Sequence, residues 1–414
     1  MDKSFFMENR TSLINRIDGD SILILFSGSP IHRSADGNYP FLVNRNFYYL
    51  TGLEEEDIIL IIRKGQDKIE EELFINQADP LLEKWVGKKY TREEARNISG
   101  ISKIGWRESF QQRLINILNE YDYKNIYLDL GIMDWNIQDH KALGFSQGII
   151  QRFPYLGIKN AYPILRDLRT IKRPEEIVKI KKAIEITSKG IESILREIKA
   201  GLKEYQLEAV FNFTIKFEGA RDNAFDPIVA SGENATILHY VENQEVVKEG
   251  DLVLFDIGAD YEHYCGDISR TFPVSRKFSP RQKILYNIVL KAQEEVIKAI
   301  KPGLHFSKLN EIAKNSLAEG CMEIGLIKEK EELSNYYYHG VSHYLGLDTH
   351  DIGNRNRVLE PGMVITVEPG LYIEEESIGI RIEDDILVTE NGCDILSKDI
   401  PKTIEEIERI MEYD

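Results

Sequence analysis

Asp256, Asp267, Glu368 and Glu383 occupy positions that strand chemistry disfavours, and they constrain this chain more than any other feature. Each lies in a β-patterned stretch: L-V-L-F-D-I-G (252–258), C-G-D-I-S-R-T-F-P-V (265–274), V-I-T-V-E-P-G-L-Y-I (364–373) and I-G-I-R-I-E-D-D-I-L-V (378–388). Asp and Glu are depleted in strands, and a buried carboxylate without a partner is costly. If these side chains converge, about four negative charges share one small space. That is tolerable only with cations among them. Two divalent ions would neutralise the set, and His343 offers a nitrogen ligand. The pattern predicts a two-metal hydrolase site. An oxygen-rich, hard ligand set argues against a Cys/His structural zinc and suits Mn²⁺, with Co²⁺ or Zn²⁺ as alternatives.

Taken singly, each position also admits a plainer role. Asp256 and Asp267 could be surface aspartates of a solvated hairpin, although Leu254, Phe255, Ile257 and Ile268 beside them argue against full exposure. Glu368 precedes Pro369-Gly370, a turn pair, and Glu383 could belong to a charged edge strand. The segment H-G-V-S-H-Y-L-G-L-D-T-H (339–350) holds His339, His343 and His350, three of the eight histidines. Spacings of four and seven would align them on a helix, but Gly340 and Gly346 weaken one, leaving strand or loop open.

The bulk numbers set the frame. A chain of 414 residues predicts two domains. A composition of 42% hydrophobic and 29% charged residues is that of a soluble globular protein. The net charge of -17, without a lysine or arginine stripe, argues against nucleic acid as a partner. No apolar run approaches the ~18 residues of a membrane span, and the start lacks a signal-peptide core. Cys265, Cys321 and Cys393 suggest neither a disulfide framework nor a zinc pair, so a reducing, cytoplasmic setting is expected.

Strands are predicted at 21–26, 46–52, 57–63, 72–76 and 125–130, with helices at 4–17 and 108–121. This mixture argues an α/β domain over 1–168. A polar, basic boundary at 166–176 leads to Pro174, which opens a long helix to about Ile198, followed by a second at 203–218. Helices at 278–300 and 306–324 and strands at 363–373 and 379–389 argue an α+β domain over 169–414.

Several runs in combination resemble the pita-bread metallopeptidases, the group containing methionine aminopeptidase, prolidase and aminopeptidase P. They are S-G-E-N-A-T-I-L-H-Y, G-D-L-V-L-F-D-I-G-A-D-Y, G-D-I-S-R-T-F-P-V, H-G-V-S-H-Y-L-G-L-D-T-H-D, L-E-P-G-M-V-I-T-V-E-P-G-L-Y-I and G-I-R-I-E-D-D-I-L-V-T. The nearest likeness is to the aminopeptidase P branch. R-S-A-D-G-N-Y-P-F and N-F-Y-Y-L-T-G-L resemble its creatinase/aminopeptidase P-type N-terminal domain. The resemblance implies an α/β N-terminal domain followed by an α+β pita-bread catalytic domain.

The resemblance also implies that Asp256, Asp267, His343, Glu368 and Glu383 hold two divalent ions, with Asp267 and Glu383 bridging them. A hydroxide shared by the ions would attack the Xaa-Pro bond at the N-terminus of a peptide. His239 or His350 would donate to the oxyanion, and Glu368 would carry the proton to the departing proline nitrogen. Arg381 would hold a carbonyl or carboxylate beyond proline, unless it pairs with Asp384 and Asp385. Substrates would be peptides with proline second, and the assembly a homodimer or homotetramer. Trp85 resembles a tryptophan that reaches a neighbouring subunit; packing within its own domain is the alternative. The short E-E-E-S loop (374–377) departs from relatives with a longer insertion. Prolidase, which would share every ligand, is the nearest rival. A creatinase-type amidinohydrolase and a non-catalytic binding protein are disfavoured by five intact ligands.

Overall fold

The run S-I-L-I-L-F is apolar on both faces of a strand, which suits only a position covered from both sides. In the computed structural model of the chain, which describes residues 1–66, 68–132, 134, 135 and 141–413, it forms the fully buried strand β1 (Ser21–Phe26). The chain divides into two compact units, Met1–Leu168 and Arg169–Asp414. In the first, β1 joins β2 (Ile59–Lys64), β3 (Ile69–Ile75), β4 (Lys103–Trp106), β5 (Asn125–Leu128) and β6 (Gly157–Asn160). The sheet order is β4-β3-β2-β1-β5-β6, with β1 antiparallel to β2 and parallel to β5. The helices Phe110–Glu120 and Lys141–Arg152 contribute Leu114, Ile117 and Ile149 to a core shared with Ile22, Ile24, Phe74 and Ile126. The outer strands β4 and β6 escaped the sequence reading because they are short and half-exposed, with no alternation to betray them.

One expected strand is a helix. Of residues 46–52, all but Gly52 fall in the helix Arg45–Thr51. Its aromatic residues favour strands when read alone, but its ends decide otherwise. Asn44 caps it by accepting from the Phe47 N–H, and Gly52 closes it in the left-handed region at φ 70°. Tyr48 and Tyr49 then pack edge-on against Phe6 and Phe5 of the helix Lys3–Ile14. A Cβ at Gly52 would lie 2.4 Å from the Phe6 ring. Gly52→Ala is therefore expected to cost roughly 2 kcal/mol, from the positive φ and the clash together. Denaturant unfolding reads this directly.

In the second unit Pro174 opens the helix Pro174–Glu197, and Glu176 reaches back to accept from the Arg173 N–H at 2.9 Å. The helices Glu204–Phe217, Pro280–Ala299 and Ser307–Glu323 follow where the apolar spacing puts them. The strands β7 (Ile228–Ser231), β8 (Leu252–Ile257) and β9 (Ile268–Pro273) form one antiparallel sheet in sequence order.

The two strands expected at 363–373 and 379–389 are each cut in two. The first becomes β10 (Val364–Val367) and β11 (Gly370–Ile373), the second β12 (Ile378–Arg381) and β13 (Asp384–Val388). β10 pairs with β13, ending at Val367 opposite Asp384, and β11 pairs with β12, with Gly370 opposite Arg381. Glu368-Pro369 and Ile382-Glu383 fall in the facing gaps. Pro369 has no N–H to give a ladder, so the break lands there. Val296, Leu309, Ala313, Val341, Ile365, Val367 and Ile386 form a core that anchors β10 and β13. The unit is α+β, and the first is α/β.

A candidate metal centre

The carboxylates of the predicted centre come from strand ends and strand breaks. Asp256 lies in β8 and pairs in register with Ser269 of β9. Asp267 stands just before β9. Its main-chain N–H donates to Asp385 Oδ2 at 3.1 Å, which fixes where the side chain departs. The residues between the two aspartates do not form a plain turn. They make their own small hairpin, Ala259–Tyr261 against Tyr264–Cys265, reversing at Glu262 and His263 with φ 49° and 71°. Such a primed turn matches the twist of its strands.

His343 lies in an irregular segment, not on a helix. Its main chain is pinned to β10: the Thr366 N–H donates to His343 O at 2.9 Å, and the His343 N–H donates to Thr366 Oγ1 at 3.2 Å. Nδ1 stands 3.0 Å from the Tyr344 carbonyl, Nε2 3.3 Å from Asp267 Oδ2 and 3.7 Å from Glu368 Oε1. A neutral ring that donates from Nδ1 presents its Nε2 lone pair to these carboxylates. Lone pairs converging in this way are a geometry that a shared cation stabilises. Ligand atoms of Asp267, His343 and Glu383 all lie within 4.8 Å of one another. Glu383 Oε2 accepts from Ser269 Oγ at 2.8 Å.

The donor set fits divalent metal on two further grounds. Asp256 Oδ1 is buried without a hydrogen-bond partner among the described residues. The carboxylates also crowd one another. Burial, then the charges of Asp256, Asp385 and Glu368, push Asp267 well above the usual carboxylate range. Burial, then Asp267, Glu368 and Asp256, do the same to Glu383. Burial raises Glu368 to about 7. Cations placed among these groups would reverse each shift.

Arg381 does not pair with Asp384 and Asp385. Its guanidinium is 3% exposed and faces the centre: Nη2 meets Asp256 Oδ2 at 2.7 Å, Nη1 Tyr372 Oη at 2.9 Å and Nε Ser269 Oγ at 2.9 Å. Asp384 pairs with Arg270 and Lys402 instead. His350 sets its ring edge-on to His343 at 4.3 Å between centroids, and burial followed by the His343 charge lowers its pKa to about 4. His239 is exposed in the turn after the 3-10 helix Gly232–Thr236. Trp85 is 83% exposed, so it is not packed within its own unit.

His339, named from sequence only within the histidine-rich segment, joins Tyr372 and Asp385, neither of which was placed at the centre from sequence. His339 Nε2 meets Tyr372 Oη at 2.8 Å, and its Nδ1 lies 3.7 Å from Glu368 Oε2. Tyr372 thereby links His339 to Arg381. Its position in β11, diagonal to Arg381 across the β11–β12 pair, was the available signal. Asp385 sits unannounced inside an apolar strand, although two consecutive aspartates there must point to opposite faces.

Comparisons with known proteins identify the family. Residues 178–390 match the model of metallopeptidase family M24, and residues 6–127 that of the aminopeptidase P N-terminal domain. The chain is 33% identical to the Xaa-Pro aminopeptidase of Escherichia coli (strain K12), covering 98% of this chain and 97% of that protein. It is 35% identical to the Xaa-Pro aminopeptidase of Haemophilus influenzae, covering 99% and 98%. A solved aminopeptidase P from E. coli with the inhibitor Pro-Leu superimposes with TM-score 0.93 at 32% identity, over 100% of this chain and 99% of that one. The chain belongs to metallopeptidase family M24, and it carries the aminopeptidase P N-terminal domain.

Proposed function

We propose that this chain is a metallo-aminopeptidase that releases the N-terminal residue of peptides whose second residue is proline. The observation that carries the reading is the convergence of Asp267, His343 and Glu383 within 4.8 Å, with Glu368 beside His343, in a chain akin to Xaa-Pro aminopeptidases along its length. Asp256, Asp267, His343, Glu368 and Glu383 would hold two divalent ions, Mn²⁺ before Co²⁺ or Zn²⁺, since four of five ligands are hard carboxylates. A related E. coli aminopeptidase P has been solved in zinc-substituted form with product. Ions so held supply the charge that makes water nucleophilic near neutral pH and polarises the scissile carbonyl.

The side chains of the protein do the rest. Glu368, beside His339 and His343, carries a proton to the proline nitrogen as it leaves, without which that amine cannot depart. His350 is neutral at pH 7 and donates as an imidazole, not an imidazolium, to negative charge growing on the carbonyl oxygen. His239 stands ready for the same task from the exposed side. Arg381 acts through Asp256: it holds that carboxylate in place and offsets its charge.

Chelation followed by restoration of single ions tests the metal reading. EDTA is expected to abolish hydrolysis of an Xaa-Pro-Xaa peptide, and Mn²⁺ to restore it best. Activity indifferent to EDTA would end it. The tripeptide is expected to be cut faster than an Xaa-Pro dipeptide; the opposite preference would make the enzyme a prolidase. We also propose a cytoplasmic homodimer or homotetramer. The three cysteines are thiols, and Leu81, Leu82, Trp85 and Val86 together expose an apolar patch of the kind oligomers cover.

A further inference from the structure

The break between β12 and β13 removes Glu383 from the regular ladder, and a side chain takes over its carbonyl. That side chain is Arg270 of β9, which is wholly buried. Its Nη1 donates to the carbonyl oxygens of Glu383 and Ser269, the latter at 3.0 Å. Nη2 donates to Asp384 Oδ1 at 2.8 Å and Ile400 O at 3.2 Å, and Nε to Pro401 O at 2.9 Å. Asp384 is itself oriented by Ser397 Oγ at 2.7 Å, Gln293 Nε2 at 3.2 Å and Lys402 Nζ. On the other side, the Glu383 N–H donates to Ser269 O at 3.0 Å, and Glu383 Oε2 accepts from Ser269 Oγ at 2.8 Å. Two consecutive residues of β9 therefore grip Glu383 at its N–H, its carbonyl and its carboxylate.

We propose that Arg270 is a positioning residue of the metal centre: its planar fork fixes the Glu383 peptide, and so the direction of the Glu383 carboxylate, from behind the strand. The inference rests on the metal-binding reading given above. A lysine keeps the charge but has a single nitrogen, which cannot span five acceptors spread around a plane. Partners of metal ligands typically set affinity by about 10- to 100-fold.

Three variants of the full chain, stripped with EDTA and titrated with Mn²⁺ by calorimetry, test the assignment beside thermal melts. Arg270→Lys is expected to bind Mn²⁺ about 10- to 100-fold more weakly than the unaltered chain. Asp384→Asn keeps the fork but loses the charge that aligns it, and is expected to fall between the two. Gly52→Ala, in the first unit, touches neither Arg270 nor Glu383; it is expected to lower Tm and leave Mn²⁺ affinity unchanged. Unchanged affinity in folded Arg270→Lys overturns the proposal. So does Gly52→Ala weakening Mn²⁺ as much as Arg270→Lys. If Arg270→Lys does not fold, unchanged affinity in Asp384→Asn overturns it equally. Failure of the unaltered chain to bind Mn²⁺ would instead strike down the metal reading on which it rests, and the two failures are distinct.

Discussion

Asp267→Asn is expected to lower kcat/KM on an Xaa-Pro-Xaa peptide by on the order of a thousandfold while making the metal-free protein more stable. The two effects share one cause. Asp267 is 4% exposed, and its carboxylate is raised well above the ordinary range, first by burial and then by Asp256, Asp385 and Glu368. Without cations the fold disfavours the ionised form that the unfolded chain adopts at neutral pH, and an isosteric neutral amide removes that cost. As a proposed metal ligand the carboxylate would be replaced by an amide, which is a poor one. The main-chain N–H that donates to Asp385 survives the change, so the local backbone has no reason to move. A carboxylate with a purely structural role predicts the reverse pairing: lower Tm and preserved turnover. Steady-state kinetics, metal content by elemental analysis and a melt in EDTA separate the two. Retained activity with full metal content would remove Asp267 from the ligand set.

The same conflict between residue type and environment made the centre legible in the sequence. A carboxylate in an apolar strand is conspicuous because its burial demands a partner. What the pattern could not carry was the geometry of interruption. Glu368 and Glu383 read as strand residues, yet each sits in a gap where one strand pair ends and another begins. Pro369 advertises the first gap by its missing N–H. Nothing local marks the second, because it is imposed by the partner strand. The helix Arg45–Thr51 shows the same limit from the other side: aromatic propensity pointed to a strand, while Asn44 and Gly52 held the better information. The partner of Arg381 was beyond reach for a different reason. The acidic pair just beyond Glu383, Asp384 and Asp385, looks like a natural mate, but strand alternation sends the two to opposite faces. One meets Arg270 and the other the Asp267 N–H, while Arg381 meets Asp256 from a distant strand.

The metal-stripped protein is expected to melt at higher temperature as pH is lowered from about 8 to about 5, against the usual course of acid destabilisation. Glu368 carries the arithmetic. Its folded pKa of about 7 stands above the ordinary 4.5, with burial the leading cause. Between those values the folded state keeps a proton that the unfolded chain has released, so stability is complete below the lower value and drains away as pH rises through the upper one. At 1.36 kcal/mol per pKa unit, this group alone contributes roughly 3 kcal/mol of change. Asp267 and Glu383 are raised in the same direction and add to it. The trend stops where carboxylates with lowered pKa lose their ion pairs in acid, among them Asp351 beside Arg169 and Lys172 and Asp384 beside Arg270. Metal inverts the picture, because protons and ions compete for the same oxygens. The Tm gained by adding Mn²⁺ should therefore be small at about pH 5 and widen steadily towards about pH 8. Paired melts in EDTA and in Mn²⁺ across that range decide the matter. A stripped protein that loses stability as pH falls from 8 to 5, or a metal increment that does not grow with pH, would mean that these carboxylates do not share one buried charge cluster.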